Sequence, residues 1–299
     1  MKNNKMLYAH LAILVANILF ALNVPNVKFI LSSGEIPNLA LNYARVGGGA
    51  LLFWLTSIFI PNEKVARKDL FLIFLASLFG VQFNQLTFIL ASPFTSPVDI
   101  SIIATLIPII TMCLAAIFLR EPITWKKTLG ILIGASGALI IILTTAKNPT
   151  TASNPLLGNS LFLLSCIIFS SYLTIFKNVI LRYKAFTFMK WMFLFAAICQ
   201  LPICYKDFLS VDFSSLSSST WGALFYACFG ASFISYILLA SSQKILRPTI
   251  VSMYNYIQPF VVFFVALSLG QDSFDVCKVL AALLVFIGVY IVTQSKKKV

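Results

Sequence analysis

The chain has 299 residues, of which 60% are apolar and only 10% charged. A soluble domain carries about a quarter charged residues, and a chain of this length has no core large enough to hide so much apolar surface, so a water-soluble globule is excluded. The formal charge of +13 does not indicate nucleic acid, because the Lys and Arg residues sit in short clusters between apolar runs instead of forming one soluble basic face.

In chain order, ten apolar segments approach the roughly 20 residues that a spanning helix needs. They are 7–31, 38–60, 69–91, 97–119, 125–144, 156–180, 186–205, 220–242, 248–269 and 277–293. They are continuous runs, unlike the alternating segments of about ten residues in a barrel strand, and a helix satisfies its own backbone in lipid. The first run is longer than the roughly 7–15 residues of a signal-peptide core and reads as an uncleaved span. With the N-terminus in the cytoplasm, only Lys28, Lys147, Lys206 and Lys278 fall on the far side, and Arg45 lies inside the second segment. The remaining Lys and Arg are cytoplasmic, as the positive-inside rule requires for an even number of spans with both ends inside. Cys113, Cys166, Cys199, Cys204, Cys228 and Cys277 form no C-x-x-C pair, so neither a disulfide framework nor a metal site is expected. No phosphate-binding loop pattern is present to couple ATP, and no cofactor is expected.

The two halves of the chain resemble each other. Phe20 aligns with Phe169 and Lys28 with Lys177; Gly80 aligns with Gly230 and Phe83 with Phe233. Pro97, Ser101, Pro108, Glu121 and Gly137 align with Pro248, Ser252, Pro259, Asp272 and Gly288. Two one-residue adjustments keep this register. Five spans is an odd number, so the second half, 156–293, enters the membrane inverted relative to the first, 7–144. Inverted repeats are a feature of secondary transporters, with the solute site near the midplane between them.

Residues 119–130, LREPITWKKTLG, continue through Gly134 and Gly137. This stretch resembles the junction of helices 4 and 5 in EamA-type proteins of the drug/metabolite transporter superfamily. Arg45, the Pro97/Pro108 helix and the Pro248/Pro259 helix are similar to the same family, and the resemblance covers nearly the whole chain. Asp272 in place of Glu, and Ala281 where the first half has glycine, depart from the pattern. The resemblance implies an all-helical integral membrane protein of ten helices that carries a small organic metabolite, as an exporter or exchanger, in the inner membrane. It also implies that helices 3, 4, 8 and 9, with parts of 1 and 6, line a central cavity.

Polar side chains in hydrocarbon usually face the protein interior or a wet cavity. Gln82 and Gln85 are three apart on one helix face, which turns Asn84 elsewhere. Tyr254 and Gln258 share a face, with Asn255 beside them, and Ser232 and Tyr236 have the same spacing. Gln82, Gln85, Tyr236, Tyr254, Gln258, Asn255, Tyr172 and Thr105 are the candidate solute contacts. Each has interhelical hydrogen bonding as its alternative role. Amide and aromatic groups suit a neutral or zwitterionic solute, such as an amino acid.

Charged and proline positions carry two readings each. Asp99 is a candidate coupling carboxylate, yet Ser96-Pro-Val-Asp99 also reads as a helix cap. Arg45 either binds an anion or braces its neighbours, with bracing preferred. Glu121 is read as structural, ahead of Thr124 as the cap of the fifth helix. Pro108 and Pro259 are candidate hinges or static kinks. Glycines 130, 134 and 137 serve packing within the monomer or a dimer seam, so monomer and homodimer both stand. The expected partners are a small-molecule solute and the lipid bilayer, with no nucleic acid. An enzyme would need clustered acids, histidines or metal ligands, and the chain has one histidine. A passive channel and a receptor or scaffold remain as rivals.

Overall fold

The computed structural model describes residues 2–95, 100, 103–145, 154–268 and 276–294, and among the described residues there is no strand. Asp99, Ser101, Pro97 and Asp272 lie outside them. The described helices are α1 Lys2–Ser32, α2 Asn38–Ser57, α3 Arg67–Ala91, α4 Ile107–Leu119 and α5 Trp125–Thr145. After them come α6 Pro155–Ile175 with a short continuation Lys177–Arg182, α7 Ala185–Leu209 and α8 Ser218–Gln243. The ninth, α9, is built of three pieces, Pro248–Met253, Tyr254–Ile257 and Gln258–Ser268, and α10 is Val276–Thr293. Among the described residues, five helical stretches are long and apolar enough to cross a membrane: Asn4–Ser32, Arg67–Ala91, Leu156–Ile175, Ala185–Leu209 and Ser218–Gln243.

Local chemistry sets the helix ends. Thr124 Oγ1 accepts the Lys127 N–H at 3.3 Å and so caps α5, as its position in sequence predicts. Asn154 accepts from Leu157 N–H ahead of Pro155 in α6, and Ser217 accepts from Thr220 N–H in α8. Arg120 ends α4 in the left-handed region at φ 50°. The outward faces are apolar, with Ile58, Phe59, Ile117, Trp125, Leu156 and Leu209 all exposed. In water this would be a liability; facing acyl chains it satisfies the backbone and side-chain logic of a membrane helix.

Helix packing repeats across the halves. Helix α1 packs on α8 and α9, and α6 packs on α3 and α4. Helix α2 packs on α8, and α7 packs on α3. The pairs α2 with α7, α5 with α10 and α4 with α9 each join equivalent helices. Exchanging each helix for the one five places later leaves this pattern unchanged. The central aromatic cluster sits on one such join: Phe53 of α2 meets Phe193 of α7 at 5.1 Å and Phe233 of α8 at 4.7 Å between ring centroids.

Two irregularities also repeat. A π-helical turn interrupts α3 at Leu78–Gln82 and α8 at Tyr226–Ile234, and the aligned glycines Gly80 and Gly230 lie inside these turns. The helix ahead of the aligned prolines Pro108 and Pro259 is also broken, whereas Pro25 and Pro202 sit inside continuous helices. Residues 105–106 form a turn before Pro108, and Tyr254–Ile257 is a 3-10 stretch before Pro259. Proline lacks the N–H that would bond four residues back, and its ring crowds that carbonyl. The Asn255 carbonyl instead accepts from Gln258 N–H.

Candidate functional site

A cavity of about 710 Å³, counted with its mouth, lies where the halves meet. Phe20, Asn23 and Val24 come to it from α1, Arg45 from α2, and Asn84, Gln85 and Phe88 from α3. Helix α6 supplies Phe162, Ser165, Cys166 and Phe169. Tyr236 of α8 and Asn255 and Gln258 of α9 complete it, with Ile100 and Ile107. Repeat mates Phe20 and Phe169 therefore both face one space. The wall is apolar with a few polar groups, the usual make-up of a small-molecule pocket.

Of the eight candidate contacts, Gln85, Tyr236, Asn255 and Gln258 line this cavity. Gln85 Nε2 donates to the Tyr236 hydroxyl at 3.1 Å, and that hydroxyl donates to the Gly80 carbonyl at 3.2 Å. Gln258 Nε2 donates to Asn17 Oδ1 at 3.1 Å and Asn255 Oδ1 at 2.9 Å. The other four are buried outside the lining. Tyr172 donates to Gln243 Oε1 at 3.1 Å, Tyr254 shares a 2.8 Å hydrogen bond with His10 Nδ1, and Thr105 sits in the turn before Pro108. Gln82 lies within the π-turn, its Oε1 buried without a partner.

Asn84 lines the cavity as well, although the face shared by Gln82 and Gln85 in a regular helix turns it elsewhere. The i to i+5 turn changes the angle between Gln82 and the residues after it, while Asn84, Gln85 and Phe88, at i, i+1 and i+4 of the regular helix Phe83–Ala91, share one broad side. Asn84 Nδ2 donates to Ser165 Oγ at 3.1 Å and bridges α3 to α6. The aligned glycines were the only trace of this turn in the sequence.

Arg45 is 4% exposed, faces the cavity, and has both Nε and Nη1 buried without a hydrogen-bond partner. A brace would hold its neighbours through such atoms, and neither Nε nor Nη1 is so engaged. Asn23 Oδ1 and Gln85 Oε1 are buried acceptors without partners in the same lining.

On the side of the α1 N-terminus, polar links tie the helices together. Glu121 Oε2 pairs with Lys127 Nζ at 2.6 Å and accepts from Thr249 at 3.2 Å, joining the two halves. Arg182 and the Tyr183 hydroxyl both meet the Asp69 carboxylate at 2.6 Å, and Lys177 Nζ donates to the Leu246 carbonyl at 2.8 Å. Glu121 and Lys127 are buried, so the structural reading of Glu121 now has a named partner in each half. Among the described residues, no group of three or more His, Cys, Asp or Glu is placed to hold a metal.

The chain is similar to an uncharacterized transporter of Archaeoglobus fulgidus, 25% identical over 80% of this chain and 83% of that one. It is 24% identical to the uncharacterized transporter YyaM of Bacillus subtilis over 82% and 81%, and 24% identical to a WAT1-related protein of Arabidopsis thaliana over 96% and 85%. A solved crystal structure shares the fold with a TM-score of 0.76 at 17% identity, over 97% of this chain and 98% of that one. The model of the EamA-like transporter family matches twice, at residues 7–143 and 156–294. With both halves matched across nearly the full length, the chain belongs to the EamA-like transporter family and is a multi-pass membrane transporter, not an enzyme.

Proposed function

We propose that this transporter is a secondary carrier that moves a small organic metabolite out of the cell, or exchanges it, by alternating access. In this reading ten helices span the inner membrane as two inverted repeats, 7–144 and 156–293, with both termini cytoplasmic. The observation that carries it is the cavity, which takes its walls from both halves at their meeting place, where a carrier of inverted repeats binds its solute. Gln85, Tyr236, Asn255 and Gln258 are the proposed solute contacts. Tyr254, Tyr172, Gln82 and Thr105 support them from behind.

Most lining residues come from the helix portions farther from the α1 N-terminus, with Tyr236, Asn255 and Gln258 as the floor. Below that floor the Glu121–Lys127–Thr249 and Asp69–Arg182–Tyr183 links act as the closed cytoplasmic gate. The conformation is then the outward-facing one. Pro108 and Pro259, each preceded by a broken turn, are the symmetric hinges that let α4 and α9 tilt. Asp99, next to Ile100 of the cavity wall, is the proposed coupling carboxylate.

The test is counterflow in proteoliposomes preloaded with candidate metabolites. A carrier gives saturable uptake of labelled solute that Gln258→Ala weakens while the protein stays folded. Flux that never saturates indicates a channel, and binding without flux indicates a receptor.

A further inference from the structure

The charge count of the cavity says more about the solute than its shape. Among the described lining residues Arg45 is the one charged group, and no carboxylate faces it. Its Nε and Nη1 are buried without partners, and no ion pair to it is found among the described residues. A buried charge with no counter-charge is costly and is normally paired. The guanidinium has the planar donor geometry that matches a carboxylate. In the same lining, Asn23 Oδ1 and Gln85 Oε1 are without a hydrogen-bond donor, and Phe20, Phe88, Phe162 and Phe169 offer apolar surface.

We infer that Arg45 is the anion anchor of the cavity and that the solute is a small organic monocarboxylate with an apolar body and a neutral hydrogen-bond donor. This rests on the carrier reading above and narrows it. The solute carboxylate supplies the charge that Arg45 lacks. A hydroxyl or amide N–H on the adjacent carbon donates to Asn23 or Gln85, and the apolar body lies among the phenylalanines. A zwitterion fits less well, because the described lining residues offer its ammonium neutral amides and no carboxylate, and the proposed coupling role of Asp99 commits that carboxylate to a proton. This inference departs from the neutral or zwitterionic solute expected from the amides and aromatics in the sequence.

The test uses three isosteric probes on the purified, full-length protein: 3-phenyllactate, its neutral amide 3-phenyllactamide, and zwitterionic phenylalanine. Binding is read by thermal stabilisation, since a ligand of the folded state raises apparent stability. Phenyllactate is expected to stabilise most, and Arg45→Gln to weaken its binding roughly 10- to 100-fold, the worth of a charge-assisted hydrogen bond. Arg45→Lys should recover part of it. Without ligand, Arg45→Gln should melt no lower than the native protein, because the substitution removes an unpaired buried charge; a structural brace would lose stability. Equal or better binding of the amide or of phenylalanine, unchanged binding by Arg45→Gln, or no stabilisation by phenyllactate overturns the inference. Counterflow separates the two readings. Arg45-dependent binding of phenyllactate without flux removes the carrier and keeps the anchor, whereas saturable flux of neutral solutes that Arg45→Gln leaves intact removes the anchor and keeps the carrier.

Discussion

The Tyr236 hydroxyl donates to the backbone carbonyl of Gly80 at 3.2 Å, joining the π-turn of α3 to α8 across the two halves. The same hydroxyl accepts from Gln85 Nε2. Tyr236→Phe keeps the ring packing on Phe20 and Phe193 but strands a buried carbonyl and a buried amide. A loss of about 1–3 kcal/mol is expected, since unsatisfied buried groups cost that much. Thermal unfolding in detergent checks it, and an unchanged melting temperature would show that water replaces the hydroxyl.

Glu121→Gln should destabilise far more than a surface substitution. It leaves Lys127, 1% exposed, without its counter-charge. Breaking one side of a buried pair costs about 3–5 kcal/mol, whereas replacing both partners with apolar residues is often neutral. Glu121→Leu combined with Lys127→Met should therefore unfold at a higher temperature than Glu121→Gln alone.

Two glycines should respond oppositely to alanine. A Cβ on Gly288 would meet the Gly130 carbonyl and the Gly134 nitrogen, each at 2.6 Å, so Gly288→Ala should cost about 1–3 kcal/mol through overpacking. A Cβ on Gly222 would meet nothing within 4 Å. Gly222→Ala, inside α8, should raise stability by about 0.5–1 kcal/mol. Paired melting curves decide between them.

Pro259→Ala restores a backbone donor where α9 is broken. If that break is a hinge, the variant should bind solute as tightly as the native protein but turn over more slowly. Comparing counterflow rates with equilibrium binding tests this, and equal rates would make the break a static kink.

Glu35 ties the α1–α2 connection to the start of α8 through Ser217, whose N–H it accepts at 3.1 Å. Hydrogen bonds from the Thr220 side chain and from Ser217 hold its carboxyl below the ordinary value of 4.5. A depressed folded-state value means the contribution is present above the unfolded value and is lost as pH falls through the folded one. The stability difference between the native protein and Glu35→Gln should be present at neutral pH and shrink as pH drops below 4.5.

Apolar run length and the aligned Pro and Gly positions made the helices and the two-fold pattern legible in sequence, because lipid leaves a helix little choice. The same logic picked out Gln85, Tyr236, Asn255 and Gln258, which line the cavity. It misplaced Asn84 because it took the face from Gln82 and Gln85, and the π-turn shifts Gln82 off the side that Gln85 shares with Asn84 and Phe88. It could not weigh the two readings of Arg45, since a sequence reveals a charge in a span but not whether its nitrogens find partners. Tyr172 and Tyr254 look like cavity residues by chemistry; only packing shows their hydroxyls committed to Gln243 and His10.

The approach of Gly130 to Gly288 bears on how the molecule is made. Helix α5 emerges from the ribosome early, with a small-residue face whose cover is the last helix of the chain. Until α9, whose Tyr256 lies against Gly134, and then α10 are inserted, that face has only lipid to meet, so the first half can enter the membrane but cannot finish assembling there. Removal of the final helix would leave earlier helices inserted yet unclosed, exposing a glycine surface to membrane quality control.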